Sequence, residues 1–489
     1  MVAATQRRHS SPGRATKIVA TLGPASDSPE VVERLILAGM DLARLNTSHG
    51  EVAGHVTVAA LVRATAERLG RPTGVLMDLG GPKLRTGMVA GGGAVEFSTG
   101  AEVLLVDGGA ETVAGRLAVA YPQLTTDVLP SHRVLIDDGA VELLVVAHEG
   151  AGLRCRVVDG GPVSSRKGVA FPDSKLSLRP ITARDREAIA AGVAAGVDYF
   201  ALSFVADAED LRLARTLIRA AGGETPVIAK IERRQALETL DAIAAEADGL
   251  MVARGDLGVE LPPEEVPLQQ RRIIAAASRH MIPVITATQM LESMTVSPRP
   301  TRAESSDVAH AVWDLSDALM LSGETAAGAY PVQSVEMMDR IIRRAESLPG
   351  VPVEMLAPET DNHSWVVAQA ARRIVEADRA IRSVVCFTIS GRTALLLSKA
   401  RPGVPILAFT PHAATARRLA LVRGVVPMVV PMVATSEELL GVVDARLQAE
   451  GLMVAGEEVV VVASLPVQAR GATNFLKLHR VGESAEYAH

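Results

Sequence analysis

Cysteine and aromatic side chains are scarce in this chain of 489 residues, which holds two Cys, two Trp, four Tyr and seven Phe. Cys155 and Cys386 are too few for a disulfide framework, and neither belongs to a metal-type pair, so the chain reads as cytoplasmic. With aromatics at 3%, the core must be built from Val, Ile, Leu, Ala and Met. Positive charge is not in excess: 50 Lys and Arg stand against 56 Asp and Glu, a net charge of −6, so nucleic acid is not an expected partner. No long apolar run exists either. The most apolar stretch, 188–206, contains Asp198, and a membrane span needs about 20 apolar residues without such a charge. No membrane partner is expected. The first 17 residues (MVAATQRRHSSPGRATK) are basic but lack an apolar core, which excludes a secretory signal and leaves a disordered tail over 1–16 as the expectation. Gly and Pro, 41 and 27 in number, follow no triplet period, and 48% apolar with 22% charged residues is a globular composition.

One pattern recurs along the chain. A short β-branched run ends in polar residues and leads into an amphipathic helical stretch. The runs are 18–23 (IVATLG), 42–46 (LARLN), 75–79 (VLMDL), 199–204 (YFALSF), 227–232 (VIAKIE), 249–254 (GLMVAR), 284–289 (VITATQ) and 318–323 (ALMLSG). All but one of the spacings between them suit a βα unit of about 30 residues. Eight units predict an α/β fold, a (β/α)8 TIM barrel of parallel strands. The helix over 30–38 places Val31, Leu35 and Ala38 on one face with Gly39 as its stop, and Thr182 is the expected N-cap of the helix over 185–195. After the third run about 90 surplus residues carry short alternating strands broken by Gly, Asp and Pro, which predicts a small inserted β-barrel domain over 88–172. The barrel then occupies 17–87 and 173–346. A further α/β domain over 347–489 has a helix at 365–377 and strands at 383–388, 405–410, 425–430 and 458–464.

Active residues of such barrels lie at the C-terminal ends of the strands. Here those ends carry Thr21, Arg44, Asn46, Ser48, His49, Asp78, Lys83, Arg85, Ser203, Lys230, Glu232, Arg254, Asp256, Thr288, Gln289, Ser322 and Glu324. Lys230 and Glu232, two apart on one strand, share a face. Glu232 and Asp256 on successive strand ends suit Mg²⁺ or Mn²⁺, with water and substrate completing the shell. A lysine beside that ion stabilises an enolate or a phosphoryl group in transfer; the plainer alternative is an ion pair serving only the barrel. Arg44, Lys83 and Arg85 together suggest a polyanionic substrate. Asn46, Ser48 and Asp78 are oxygen donors for a monovalent cation or for a turn, and Thr288 and Ser322 are hydroxyls able to relay a proton or bind a carboxylate. In the last domain 388–393 (TISGRT) joins a strand to a helix, which makes Thr388, Ser390, Gly391, Arg392 and Thr393 a candidate effector phosphate loop; Arg401, Arg417, Arg418 and Arg423 add to that reading.

These segments resemble a known family. The stretches RLNTSHG (44–50), DLGGPKLRTG (78–87), AKIE (229–232), MVARGDLG (251–258), ATQMLESM (287–294), RPTRA (299–303) with SDV (306–308), and LSGET (321–325) are similar, in order, to those of pyruvate kinases. The resemblance implies phosphoryl transfer from phosphoenolpyruvate to ADP, giving pyruvate and ATP, with Mg²⁺ or Mn²⁺ as cofactor. It implies Glu232 and Asp256 as metal ligands, and Lys230 as the group that stabilises the phosphoryl and the enolate. Arg44 should bind phosphate. Gly255, Asp256 and Thr288 should contact the pyruvate moiety, with Thr288 and Ser322 near the protonation step. Asn46, His49, Arg85 and Lys167 are implied on the nucleotide side, and Asn46, Ser48, Asp78 and Leu79 in a K⁺-type site. It also implies a homotetramer. Lys83 stands where many members carry an acidic residue and Leu79 where many carry Thr, so K⁺ is not expected to be required. Ala206 replaces an Arg of many relatives without an evident reason. Ile389 replaces a Lys of animal relatives, which favours AMP or a sugar phosphate as effector. The rival readings are a Mg²⁺-dependent pyruvate-enolate lyase or aldolase on the same barrel and a catalytically silent metabolite sensor; ATP formation from phosphoenolpyruvate and ADP separates them.

Overall fold

A computed structural model describes residues 14–108, 111–178, 180–348, 363–467 and 472–483. Eight parallel strands, Lys17–Leu22, Leu42–Asn46, Gly74–Leu79, Tyr199–Leu202, Val227–Ile231, Gly249–Ala253, Val284–Ala287 and Ala318–Leu321, close into a barrel in chain order. The eighth pairs back onto the first with Lys17 opposite Ala318. All eight runs read from the sequence are these strands. Because helices cover the outside and side chains fill the inside, the strands are buried on both faces and therefore read as continuous β-branched runs.

The helices start and stop where local chemistry dictates. Thr182 caps Ala183–Ala194: its Oγ1 accepts from the Asp185 N–H at 3.2 Å, and the Asp185 carboxylate accepts from the Thr182 N–H at 2.9 Å. Pro29–Ala38 ends at Gly39, whose φ of 121° few other residues would adopt. Its core stripe is Val32, Leu35 and Ile36, with Val31 and Ala38 only partly buried at the two edges. The expected face was thus rotated from the true one, since the stripe of a barrel helix is wide enough for both patterns to fit.

The insert after the third strand has its own core, in which Phe97, Leu105, Tyr121, Val134, Leu153 and Val163 meet. Among the described residues its strands do not form one hydrogen-bonded ring. Six make one sheet, while Ala94–Phe97 and Gly161–Ser164 pair as a separate ribbon on the same core. The strands Arg116–Val119, Gly161–Ser164 and Val169–Ala170 have four residues or fewer, a length at which alternation is a weak signal.

The C-terminal domain is a five-stranded sheet, Val425–Val429, Ile406–Thr410, Ile381–Phe387, Glu458–Ala463 and Phe475–Arg480 in spatial order, with helices on both faces. The last strand, antiparallel at the edge, was not foreseen. This domain seals the lower mouth of the barrel. Ala420 and Leu421 pack among Val19, Leu76, Ile228 and Met320 inside it. Around that plug Lys399 pairs with Asp317 at 2.6 Å, Arg417 with Asp198 at 2.9 Å and Arg423 with Glu346 at 3.2 Å. Arg401 donates to the Leu315 carbonyl, and the Arg418 carbonyl accepts from the Tyr199 hydroxyl. Three of the arginines offered by the sequence to an effector phosphate, Arg401, Arg417 and Arg423, therefore serve the domain seam instead. Of the expected tail, residues 1–13 lie outside the described residues. Arg14 pairs with Asp41 and Asp339, and Ala15 and Thr16 donate their N–H groups to Glu346, so the anchored chain begins before the expected boundary. No helix among the described residues is long and apolar enough to cross a membrane.

Candidate active site

Four charged side chains meet at the upper mouth. Arg44, on the second strand, donates to Asp78 on the third at 2.7 Å and to Thr21 of the first at 2.9 Å. Lys230, on the fifth, reaches Glu232 at 2.8 Å, Asp78 at 3.3 Å and the Ser203 hydroxyl at 2.7 Å. Ser203 in turn donates to the Leu79 carbonyl at 2.6 Å. Lys230 and Glu232 do share a face, as their spacing required. Asp78 and Glu232 are each 1% exposed, so these charges stand or fall together. Burial alone would lower the Lys230 pKa, but Asp78 and then Glu232 more than reverse this and hold the ammonium above its usual range. Burial pushes the Asp78 carboxyl up, and Lys230 and Arg44 pull it below its usual value. Glu232 ends above its usual value: burial raises it, Lys230 only partly offsets that, and the nearby charge of Asp256 adds to it. Asp256 sits in the first turn of Arg254–Glu260, which the sixth strand delivers to the same mouth.

The phosphate-side loops lie beside this cluster. Asn46 accepts from the Ser48 N–H at 3.2 Å, and Arg184 holds the loop by donating to the Thr47 carbonyl at 2.9 Å. A Cβ on Gly80 would come within 3.0 Å of Ser48 Oγ, and one on Gly81, where φ is +63°, within 2.8 Å of Phe204. Only glycines allow that approach. His49 is exposed, and its pKa is lowered by partial burial and by Lys83, Arg85, Arg44 and Arg184, which places those cations around it. The K⁺-type shell is partly committed already: the Leu79 carbonyl takes Ser203 and Asp78 takes two cations. Lys83 is exposed at the rim and Lys230, not Lys83, is the ammonium on Asp78.

Between this mouth and the insert runs a cleft of about 650 Å³, lined by Lys83, Arg85, Lys167, Lys175, Arg233 and Asp256 among others. Lys167 pairs there with Asp137 at 2.8 Å, and Arg85 donates to the Arg166 carbonyl at 2.9 Å. On the opposite side, Thr288 Oγ1 accepts from the Gly255 N–H at 2.8 Å, and Arg254 fixes that turn through the Thr288 carbonyl and Asp307, each at 2.7 Å. Among the described residues Ser322 Oγ is buried without a hydrogen-bond partner. The sequence named Ser203 and Arg254 as strand-end residues without a role, and it missed Arg184, Lys175 and Arg233. Arg184 and Lys175 stand outside the strand ends, so only the fold brings them in, whereas Arg233 directly follows Glu232 and was open to the same strand-end reading.

The candidate effector loop is remote, in the C-terminal domain. Thr388 Oγ1 accepts from the Gly391 N–H at 2.9 Å and Thr393 Oγ1 meets Thr473 Oγ1 at 3.0 Å, so both hydroxyls are used inside the fold. Ser390 and Arg392 are exposed, on either side of Gly391, whose φ is +92°.

The family described as pyruvate kinase, barrel domain, matches residues 13–335, and that described as pyruvate kinase, alpha/beta domain, matches residues 366–479. The chain belongs to the pyruvate kinase family. It is 42% identical over 471 residues to the pyruvate kinase of Mycobacterium tuberculosis, covering 96% of this chain and 99% of that one. It is 43% identical to pyruvate kinase 2 of Synechocystis sp., covering 96% of this chain and 79% of the other. The solved structure of a pyruvate kinase from Cryptosporidium parvum superposes with a TM-score of 0.91 at 34% identity, over 96% of both chains.

Proposed function

We propose that the chain transfers the phosphoryl group of phosphoenolpyruvate to ADP, forming ATP and pyruvate, at the upper mouth of the barrel. The observation that carries this reading is the buried Lys230 ammonium, set between Asp78 and Glu232 beside Arg44, with Asp256 close by on the wall of a cleft rich in cations. Phosphoryl transfer asks for charge neutralisation and in-line placement more than for a nucleophile, and this mouth offers the first. Glu232 and Asp256 would hold a divalent cation. Their all-oxygen donor set fits Mg²⁺ or Mn²⁺, and because no cluster of three or more His, Cys, Asp or Glu gathers among the described residues, water and substrate must supply the other ligands. When bound, such an ion would neutralise charge on the transferring group.

The chain's own groups divide the remaining work. Arg44 would clamp the phosphate. Lys230 would leave Ser203 and turn its proton toward the bridging oxygen, where negative charge grows as the enolate forms. Gly255 and Thr288 would orient the three-carbon unit, and His49, Arg85 and Lys167 would line the diphosphate across the cleft. Ser322 would stand on the carbon side. The effector reading narrows to Ser390 and Arg392, the exposed members of their loop. A homotetramer and a cytoplasmic location belong to the same proposal.

ATP formation from phosphoenolpyruvate and ADP with Mg²⁺, coupled to pyruvate reduction, tests this. Turnover without added K⁺ is expected, because Asp78 already carries two cations. A large K⁺ stimulation in Na⁺-free buffer contradicts the monovalent part, and no ATP at all contradicts the whole in favour of the lyase or sensor readings.

A further inference from the structure

Arg233 has stood so far as one cation among several on the cleft wall, yet its contacts are specific. It directly follows Glu232 after the fifth strand and is half-buried. The carboxyls of Glu260 and Asp210, which burial holds above their usual range, feel its charge. Among the described residues the guanidinium nevertheless pairs with neither. It lies over the ring of Phe204, 5.1 Å from the ring centre, within the range of a cation–π contact.

Phe204 needs that support. Its φ is +56°, a left-handed conformation that is costly for a bulky side chain. The residues on either side of it are tied down separately. Ser203 is held by Lys230 and the Leu79 carbonyl, while the Ala206 N–H donates to Asp210 at 2.8 Å and the Ala206 carbonyl accepts from Thr239 at 2.9 Å. Phe204 itself is held by what touches its ring, Arg233 and Gly81, and by its own N–H, which donates to Glu232 Oε2 at 2.6 Å. Lys230 takes the other carboxylate oxygen at 2.8 Å. The two contacts fix the orientation of Glu232, and each oxygen keeps a lone pair for a cation.

We propose that Arg233 is a positioning residue for the divalent-metal ligand Glu232, acting through Phe204. This rests on the metal site proposed above. The guanidinium holds the ring, the ring holds the left-handed turn, and the amide of that turn fixes the carboxylate beside Asp256. Groups that hydrogen-bond a metal-binding carboxylate set its affinity for the ion, and Arg233 acts one contact further out, so its effect is the smaller. The plainer alternatives are a contact that serves only the fold and a cation that meets the nucleotide phosphates directly from the cleft wall.

The test is Arg233→Gln, which keeps a polar side chain but removes the charge. Mn²⁺ affinity in the presence of oxalate is read from the loss of the free-ion electron paramagnetic resonance signal. Binding is expected to weaken about threefold or more, and Arg233→Lys, which returns a cation to the ring, should recover most of the loss. The KM for ADP should move less than about twofold. In a Phe204→Leu background, where the ring face is gone, Arg233→Gln should weaken Mn²⁺ binding by less than about 1.5-fold further. Should Arg233→Gln not fold, Arg233→Met is read in the same way, and should the Phe204 variant not fold, the Arg233 variants decide alone. Unchanged Mn²⁺ affinity, no recovery with Lys, the full loss repeated in the Leu background, or a raised KM for ADP with Mn²⁺ binding intact would overturn the assignment. Glu232→Gln is the control: Mn²⁺ held there as tightly as by wild type would instead overturn the metal site on which the assignment rests.

Discussion

At its lower mouth the barrel buries Asp317 and Asp198 against Lys399 and Arg417, at 2.6 and 2.9 Å; at its upper mouth it buries Asp78 and Glu232 against Arg44 and Lys230, at 2.7 and 2.8 Å. The ingredients match, and the surroundings do not. Below, each acid comes from the barrel and each base from the C-terminal domain, with Ala420 and Leu421 filling the space between. Above, all four come from barrel strands or their ends and adjoin, through Phe204 and Asp256, a cleft that holds further cations. Lower charges are closed off, Asp317 by Lys399 and Asp198 by Arg417 and, at 3.7 Å, Arg63. Upper charges stand beside room for a substrate. Buried, perturbed charge therefore marks a seam as readily as a site, and access decides which it is.

The comparison breaks most visibly at the seam. Lys399→Met leaves Asp317 buried without its cation and should cost about 3–5 kcal/mol in denaturant unfolding, with kcat per folded molecule within about twofold of wild type. A loss under about 1 kcal/mol would mean the seam is not held this way. Lys230→Met at the other mouth should do the reverse to kcat, lowering it about a hundredfold or more with a smaller change in phosphoenolpyruvate KM, because its charge matters most in the transition state. An unchanged kcat would remove Lys230 from that role.

A smaller effect sharpens the contrast through pH. Lys17, at the lower mouth, donates to the Val425 carbonyl at 2.7 Å, and burial lowers its pKa against the pull of Asp41 and Glu346, with Arg14 and Arg423 pushing the same way as burial. Between its depressed folded pKa and the ordinary lysine value of 10.5 the unfolded chain binds the extra proton, so stability rises with pH in that window and is lost again as pH falls through the folded value. The stability of wild type over Lys17→Met should grow as pH rises toward 10.5. A constant difference would mean that Lys17 carries no depressed pKa. Lys230, whose pKa is raised, should show no such gain over that range.

What the sequence discloses follows the same division. Eight buried parallel strands announce themselves as β-branched runs, and Lys230 with Glu232 share a face by spacing alone. Contacts between distant segments do not announce themselves. Arg417 and Arg423 look like phosphate ligands until Asp198 and Glu346 are found beside them. Thr388 and Thr393 look like a hydroxyl pair for an anion until Gly391 and Thr473 are seen to occupy them. Glu324 stood at a strand end with nothing in its neighbours to show that it accepts from the amides of both Leu291 and Ser322. The edge strand Phe475–Arg480 was hidden because its burial is mixed and its core face weak.

The most direct test is the place of the metal. A crystal soaked with Mn²⁺ and oxalate, read by anomalous scattering, should show one ion bound by Glu232 and Asp256, with the Lys230 ammonium turned toward the oxalate beside it. An ion held elsewhere, or Glu232 and Asp256 on different ions, would contradict the account.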